Sequence, residues 1–139
     1  MNTYLNRALR AAAVSLAMLM TTGTASADPK EPLMTRDLAG LPGKEAVVLT
    51  VEMAPGQASK PHRHDANVFV YVLEGTLTMQ VQGAAAVTLH PGDTFYESPT
   101  DVHTVSQNAS KTEPAKFLVF IVKDKGTPIT RPVAGEALK

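Results

Sequence analysis

From Glu45 onward the sequence is a series of short runs rich in β-branched and aromatic residues, and each run ends at a turn signal. The runs are EAVVLTVEM, NVFVYVL, TLTMQVQ, AAVTLH, DTFYE, VHTVSQN and AKFLVFIVK. Glycine, proline and polar residues separate them, in the segments PGQ, EG, QGA, HPGD and SPTD. Several runs alternate apolar and polar residues as a strand does, and none has the period of an amphipathic helix. The pattern therefore predicts an all-β sandwich or barrel.

The first 27 residues have the composition of a secretory signal peptide. Arg7 and Arg10 precede an apolar run from Ala11 to Met20, and Ala25-Ser26-Ala27 forms a small-x-small cleavage pattern. The apolar run is shorter than the ~20 residues that span a bilayer, so a cleaved signal is favoured over a membrane anchor. We expect cleavage after Ala27 and a periplasmic or secreted protein without a membrane segment.

The composition of the mature chain limits its partners. The whole chain has 13 basic and 13 acidic side chains, and loss of the two signal arginines leaves a small acidic excess. With no basic patch, nucleic acid and anionic lipid are not expected as partners. The chain has no cysteine, so its stability must come from its core and from whatever its histidines bind.

The mature chain is long enough for one domain. A Pro- and Gly-rich arm over residues 28–44 has no helical period, and it includes one potential edge strand near Leu33–Asp37. The β-rich domain is predicted over residues 45–123. A tail over residues 124–139 returns to turn composition and is expected to lie on the surface.

Two histidines stand one residue apart in the segment PHRHDANVFVYVLEG. On a strand, His62 and His64 would point to the same side with Cα atoms ~6.6 Å apart, so both could bind one ion. His103 begins a later predicted strand, whereas His90 lies in a turn. An HxH pair is a weak signal by itself, because surface strands contain such pairs by chance.

The spacing around these histidines resembles the two sequence motifs of the cupin superfamily. The first motif, G-x5-H-x-H-x3-4-E-x6-G, matches at Gly56, His62, His64 and Gly75. The second, G-x5-P-x-G-x2-H-x3-N, matches at its first glycine and its histidine, Gly92 and His103. The resemblance covers residues 45–123. It implies a double-stranded β-helix of jelly-roll type with a mononuclear divalent metal held by His62, His64 and His103.

The sequence departs from both motifs. The acid position of the first motif falls on Val68 or, with the alternative spacing, on Phe69. In the second motif Ser98, Thr100 and Gln107 occupy the proline, glycine and asparagine positions. The interval from Gly92 to His103 is intact, so the aim of the histidine is expected to survive these changes.

Glu97 is the acid that best replaces the missing carboxylate. It lies in a predicted strand that leads into the loop before His103, and an inward side chain there would complete a set of three histidines and one carboxylate. The alternative is that Glu97 faces outward or caps the following turn. Asp65, Asn67 and Glu74 are weaker candidates because they lie at turns.

The large apolar side chains of the strands are predicted to form the core or the cavity wall. These residues are Met53, Phe69, Tyr71, Met79, Phe117 and Phe120.

Two classes of function remain open. The protein is either a small-molecule metalloenzyme with oxygenase or Lewis-acid chemistry, or a non-catalytic module that binds a small ligand or a metal. The donor set suits Fe, Mn, Ni, Cu or Zn. A homodimer is also expected, since long apolar strands leave a sheet edge that a second copy would cover.

Overall fold

The structure is a computed structural model that describes residues 31–133, so the predicted signal peptide lies outside the described residues. Within this range the chain forms strands, turns and loops. The strands are β1 Met34–Asp37, β2 Lys44–Met53, β3 His62–Arg63, β4 Asn67–Glu74, β5 Leu77–Val81, β6 Val87–Leu89, β7 Thr94–Glu97, β8 His103–Asn108, β9 Ala115–Asp124 and β10 Arg131–Pro132. Over residues 31–133 there is no helix with the length and apolar composition needed to cross a membrane.

The strands form two five-stranded antiparallel sheets. The first has the order β1-β2-β9-β4-β7, and the second has the order β10-β3-β8-β5-β6. Strands β2 and β9 pair along ten residues each, from Lys44 opposite Asp124 to Met53 opposite Ala115. This confirms the all-β jelly-roll prediction, and every predicted run from Glu45 to Lys123 contains a strand.

The core lies between the inner faces of the two sheets. Strand β9 shows the alternation most clearly, because every second residue from Ala115 to Lys123 is buried. Strand β4 does the same with three valines, and strand β5 adds side chains from the second sheet. The cluster includes Val47, Leu49, Met53, Val68, Val70, Val72, Leu77, Met79, Phe117, Val119 and Ile121.

The prediction that Phe69 and Tyr71 belong to the core was wrong. These side chains are 46% and 45% exposed, and they lie on the outer face of the first sheet with Tyr96. The reason is the two-residue period of β4, which turns Val68 and Val70 inward and their neighbours outward. Phe69 contacts Tyr96, with ring centroids 5.2 Å apart. By contrast, Phe117 is buried as predicted.

Gly75 closes the hairpin between β4 and β5. Its φ of +78° lies in the left-handed region, and a Cβ placed on it would come within 2.5 Å of the Pro114 carbonyl oxygen. Both the conformation and the close approach of the chain require glycine here.

The segment after β9 crosses back to the other sheet. Buried Lys123 pairs with Glu45, and its ammonium also donates to the Thr127 carbonyl at 2.7 Å. The chain then pairs with β3 through β10, with Arg131 opposite Arg63 and Pro132 opposite His62. This part of the predicted surface tail therefore lies beside the histidines.

Candidate metal centre

The fold brings the three motif histidines together. His62 on β3 lies directly opposite His103 on β8, and His64 follows immediately after β3. The ring centroid of His62 lies 4.9 Å from that of His64 and 5.1 Å from that of His103. One ring nitrogen from each histidine lies within 4.8 Å of the other two. His90 remains apart, exposed in the turn before β7.

Backbone carbonyls orient two of these imidazoles. The Nδ1 atom of His62 lies 2.8 Å from the Lys60 carbonyl oxygen, and that of His64 lies 2.6 Å from the Ile129 carbonyl oxygen. A carbonyl only accepts, so Nδ1 is the donor in each pair and Nε2 keeps its lone pair for a metal. The contribution of Ile129 could not be read from the sequence, because it lies 65 residues from His64 and acts through its backbone.

Glu97 faces the interior and is 2% exposed. Its Oε1 atom lies 3.2 Å from His103 Nδ1, and its Oε2 atom lies 3.8 Å from His64 Nε2. The register explains this position, because Glu97 on β7 is the direct cross-strand partner of Val68 on β4. Directly paired residues project from the same face of a sheet. The carboxylate therefore reaches the histidines from the strand next to the one on which the motif places an acid.

Three buried polar atoms of this cluster lack a hydrogen-bond partner among residues 31–133. They are Glu97 Oε2 and both ring nitrogens of His103, whose Nδ1 lies 3.2 Å from Glu97 Oε1 but outside hydrogen-bond geometry. Leaving such atoms unpartnered costs about 1–3 kcal/mol each. Imidazole nitrogens and a carboxylate are donors that divalent transition metals accept. Ligand atoms of one ion lie ~2.0–2.2 Å from it. Two such atoms are therefore about as far apart as the Glu97 oxygens are from the nearest ring nitrogens of His64 and His103. The cluster could therefore hold a metal ion.

The cluster also favours the protonation states that bind metals. Burial raises the pKa of Glu97, but the neighbouring imidazoles, His103 foremost, lower it by more, so the pKa lies below its ordinary value of 4.5. Burial, helped by His64 and His103, lowers the pKa of His62 below its ordinary value of 6.5. The carboxylate is thus ionised and His62 neutral near pH 7.

The weaker acidic candidates have other contacts. Asp65 adopts a positive φ of 48° and pairs with Arg63 at 2.5 Å and with Arg131 at 2.8 Å. The amide oxygen of Asn67 accepts a hydrogen bond from the Tyr96 hydroxyl at 2.7 Å. Glu74 is exposed at the end of β4. The ion pairs of Asp65 join β10 to the loop after β3.

Asn108, one position after the asparagine position of the second motif, is buried. Its amide nitrogen donates to the carbonyl oxygens of Met53, Ala54 and Glu113 at 2.8–3.2 Å. It therefore joins the ends of β2 and β8 to the loop before β9.

A cavity of about 340 Å³ borders the histidines and Glu97. Near Lys60 and Thr130 it is open to solvent. Away from the histidines its wall consists mainly of apolar side chains from both sheets: Leu49, Val51, Val70, Met79, Phe117 and Val119. A small molecule that enters could contact a bound metal at one end and hydrocarbon along the rest of its length.

Residues 49–121 match the cupin domain family. The chain belongs to this family. A search of curated proteins found no match to the sequence of this chain.

Solved structures support the same fold. A Klebsiella pneumoniae protein with a double-stranded β-helix domain is similar with a TM-score of 0.60 and 18% identity, over 77% of this chain and 84% of the other. The DMSP lyase DddQ from Ruegeria pomeroyi gives 0.56 and 22%, over 63% and 43%. An oxalate oxidase in complex with the substrate analogue glycolate gives 0.54 and 21%, over 67% and 54%. The cupin thus spans about half the length of these two enzymes.

Proposed function

We propose that this cupin binds one divalent transition metal through His62, His64 and His103, with Glu97 as a fourth ligand or as the partner of a ligand histidine, and that it is a small-molecule metalloenzyme. The observation that carries the proposal is the convergence of three imidazole nitrogens within 4.8 Å at the side of a cavity. The unpartnered atoms of His103 and Glu97 support it.

The residues around the site would prepare it for such chemistry. The Lys60 and Ile129 carbonyls hold His62 and His64 in the tautomer with a free Nε2. The ionised Glu97 places a negative charge beside two histidines, which favours a cation there. The apolar wall limits the water around a bound substrate, which strengthens electrostatic interactions. When bound, a metal with open positions would activate O2 or polarise a chelating oxygen as a Lewis acid.

Metal analysis tests the proposal directly. We expect protein purified from cells that express the full chain to contain about one metal ion per chain, in keeping with a single four-ligand set. His103→Ala is expected to lose most of it, because each ligand contributes to one closed set. His90→Ala is the matched control, since His90 is exposed in a turn. A His103→Ala protein with undiminished metal content and affinity would contradict the site.

The second candidate is a non-catalytic module that holds a small ligand. The observation in its favour is that the cavity wall away from the histidines has no acid or base among residues 31–133 that could move a proton. Elemental analysis followed by screening of the metal-loaded protein for O2 consumption and for substrate turnover separates the candidates. Ligand binding without turnover would favour the module.

We also propose that the protein is exported and acts as a homodimer. The signal-like residues 1–27 support export, and mass spectrometry of the purified protein tests it by locating the N-terminus. An N-terminus at Asp28 is expected. Retention of Met1 on protein from the periplasm would contradict cleavage.

A further inference from the structure

The groups that border the cavity are distributed unevenly between its two ends. The ionisable residues that border it, three histidines, Glu97 and the exposed Lys60, lie at one end. The two serines on the wall, Ser59 and Ser106, are neutral, and the remaining wall is mainly apolar. A ligand therefore meets charge at one end only.

The register of the first sheet shows how far the apolar part extends. Glu97, Val68 and Ile121 form one cross-strand row. Two residues along the strands, Val70, Val119 and Leu49 form the next row, and Phe117 and Val51 follow in a third. Rows two residues apart are separated by ~6.8 Å in an antiparallel sheet. Hydrocarbon thus lines about two row spacings beyond the carboxylate.

No arginine among residues 31–133 borders the cavity. Arg63 and Arg131 are instead paired with Asp65. Lys60 is the cation on the lining; it is exposed, and its backbone holds His62, so it lies at the histidine end. A second carboxylate at the far end of a ligand would therefore be buried without a partner, which is strongly unfavourable.

We infer that the cavity takes a ligand with one polar head of adjacent oxygen donors, directed at the metal, and an uncharged hydrocarbon tail. This inference rests on the proposed metal site. At ~30 Å³ per water-sized group, the volume of about 340 Å³ accommodates roughly ten non-hydrogen atoms. The site discriminates against dicarboxylates long enough to place the second carboxylate in the apolar part, and against other molecules charged at both ends.

A matched series of hydroxamates tests the inference, because all members present the same pair of oxygen donors. The protein is first loaded with Co²⁺ and its metal content is measured. Acetohydroxamate, hexanohydroxamate and adipic acid monohydroxamate are then titrated, and the dissociation constants are read from the cobalt absorption spectrum. The last two probes differ only in a terminal carboxylate, so their comparison measures the cost of charge at the far end.

Hexanohydroxamate is expected to bind at least tenfold more tightly than acetohydroxamate, since each of four added methylenes contributes up to a factor of about four when buried. Adipic acid monohydroxamate is expected to bind at least tenfold more weakly than hexanohydroxamate. Equal affinities across the series, or tighter binding of the carboxylate probe, would overturn the inference. A protein that retains no Co²⁺ contradicts the proposed metal site itself, before any probe is added, and with it the anchoring of the head.

A pair of identical substitutions on one strand locates the tail. Val119→Thr puts a hydroxyl on the cavity side of β9, whereas Val122→Thr puts it on the outer side. Val119→Thr is expected to lower the affinity for hexanohydroxamate severalfold, while the Co²⁺ content and the affinity for acetohydroxamate stay constant. Val122→Thr should change none of the three. Unchanged hexanohydroxamate affinity in a Val119→Thr protein that retains its Co²⁺ would place the tail outside the cavity.

Discussion

Glu97 lies on the strand next to the one that carries the acid position of the cupin motif, and it projects from the same face of the sheet. The sequence predicted it as the candidate acid because the motif position holds Val68 or Phe69. What the sequence could not supply was the register, which makes Val68 and Glu97 direct partners on adjacent strands. Cross-strand pairing depends on how β4 and β7 meet, about thirty residues apart, and local pattern does not determine it.

Exchange of these two residues tests the role of the carboxylate. Glu97→Gln is expected to lower metal affinity by about 10–100-fold, the usual effect of removing a supporting partner of a metal ligand. The double variant Val68→Glu/Glu97→Val returns the acid to the motif position and should recover much of the loss. Equilibrium dialysis against a buffered metal measures both. Glu74→Gln is the control, since Glu74 is exposed; an unaffected Glu97→Gln protein would refute the role.

The stability of the metal-free protein should decrease as the pH falls below 6.5. Burial holds the pKa of folded His62 below its ordinary value of 6.5, so the unfolded chain binds a proton more readily, and acid favours unfolding. The Glu97 pKa is also depressed, so its contribution is present above 4.5 and is lost only at lower pH. Urea unfolding at pH 7.5, 6.5 and 5.5 with a chelator should show the decrease, and His62→Gln should reduce it. A His62→Gln protein with the full decrease would assign the effect to other groups.

At the scale of the strands, periodicity predicted much of the fold. The run AKFLVFIVK becomes β9, where alternate residues are buried over the whole strand. The prediction for Phe69 and Tyr71 failed because it relied on the size of the side chains and not on their alternation along the strand. In β4 the valines face inward and the aromatic residues outward, because successive side chains of a strand point to opposite faces. Strand β10 was not predicted, because a strand of two residues is too short to show an alternating pattern.

A turn can require glycine because of its backbone conformation or because another part of the chain lies too close for a side chain. Gly83 meets only the first condition, and Gly75 meets both. Both have φ near +80°, but a Cβ on Gly83 meets nothing within 4 Å, whereas one on Gly75 meets the Pro114 carbonyl and Ala115. Gly83→Ala should therefore cost about 1–2 kcal/mol for conformation alone. Gly75→Ala should cost about 1–3 kcal/mol more, for overpacking. Chemical denaturation measures both values, and equal losses would show that the hairpin yields to the added methyl group.

Over the whole molecule, the motif spacing predicted which histidines meet, but not what encloses them. The segment after β9 had the composition of a surface tail. In the structure its Ile129 carbonyl accepts a hydrogen bond from His64, and β10 pairs with β3. These contacts join residues about 65 positions apart. They depend on the closure of the second sheet, which is a property of the assembled fold and not of any local pattern.

The last prediction concerns assembly. Strand β1 ends the first sheet, its four residues are exposed, and it begins beside Leu33, which is 65% exposed. Such an edge readily pairs with another strand. We expect a homodimer by light scattering at tens of micromolar. Because the Leu38 N–H bonds to the Lys44 carbonyl in the β1–β2 register, alternation turns the Thr35 N–H outward, so Thr35→Pro should shift the protein toward monomer while Thr35→Ala should not. A monomeric wild type would exclude the dimer, and a dimer unaffected by Thr35→Pro would exclude pairing through this edge.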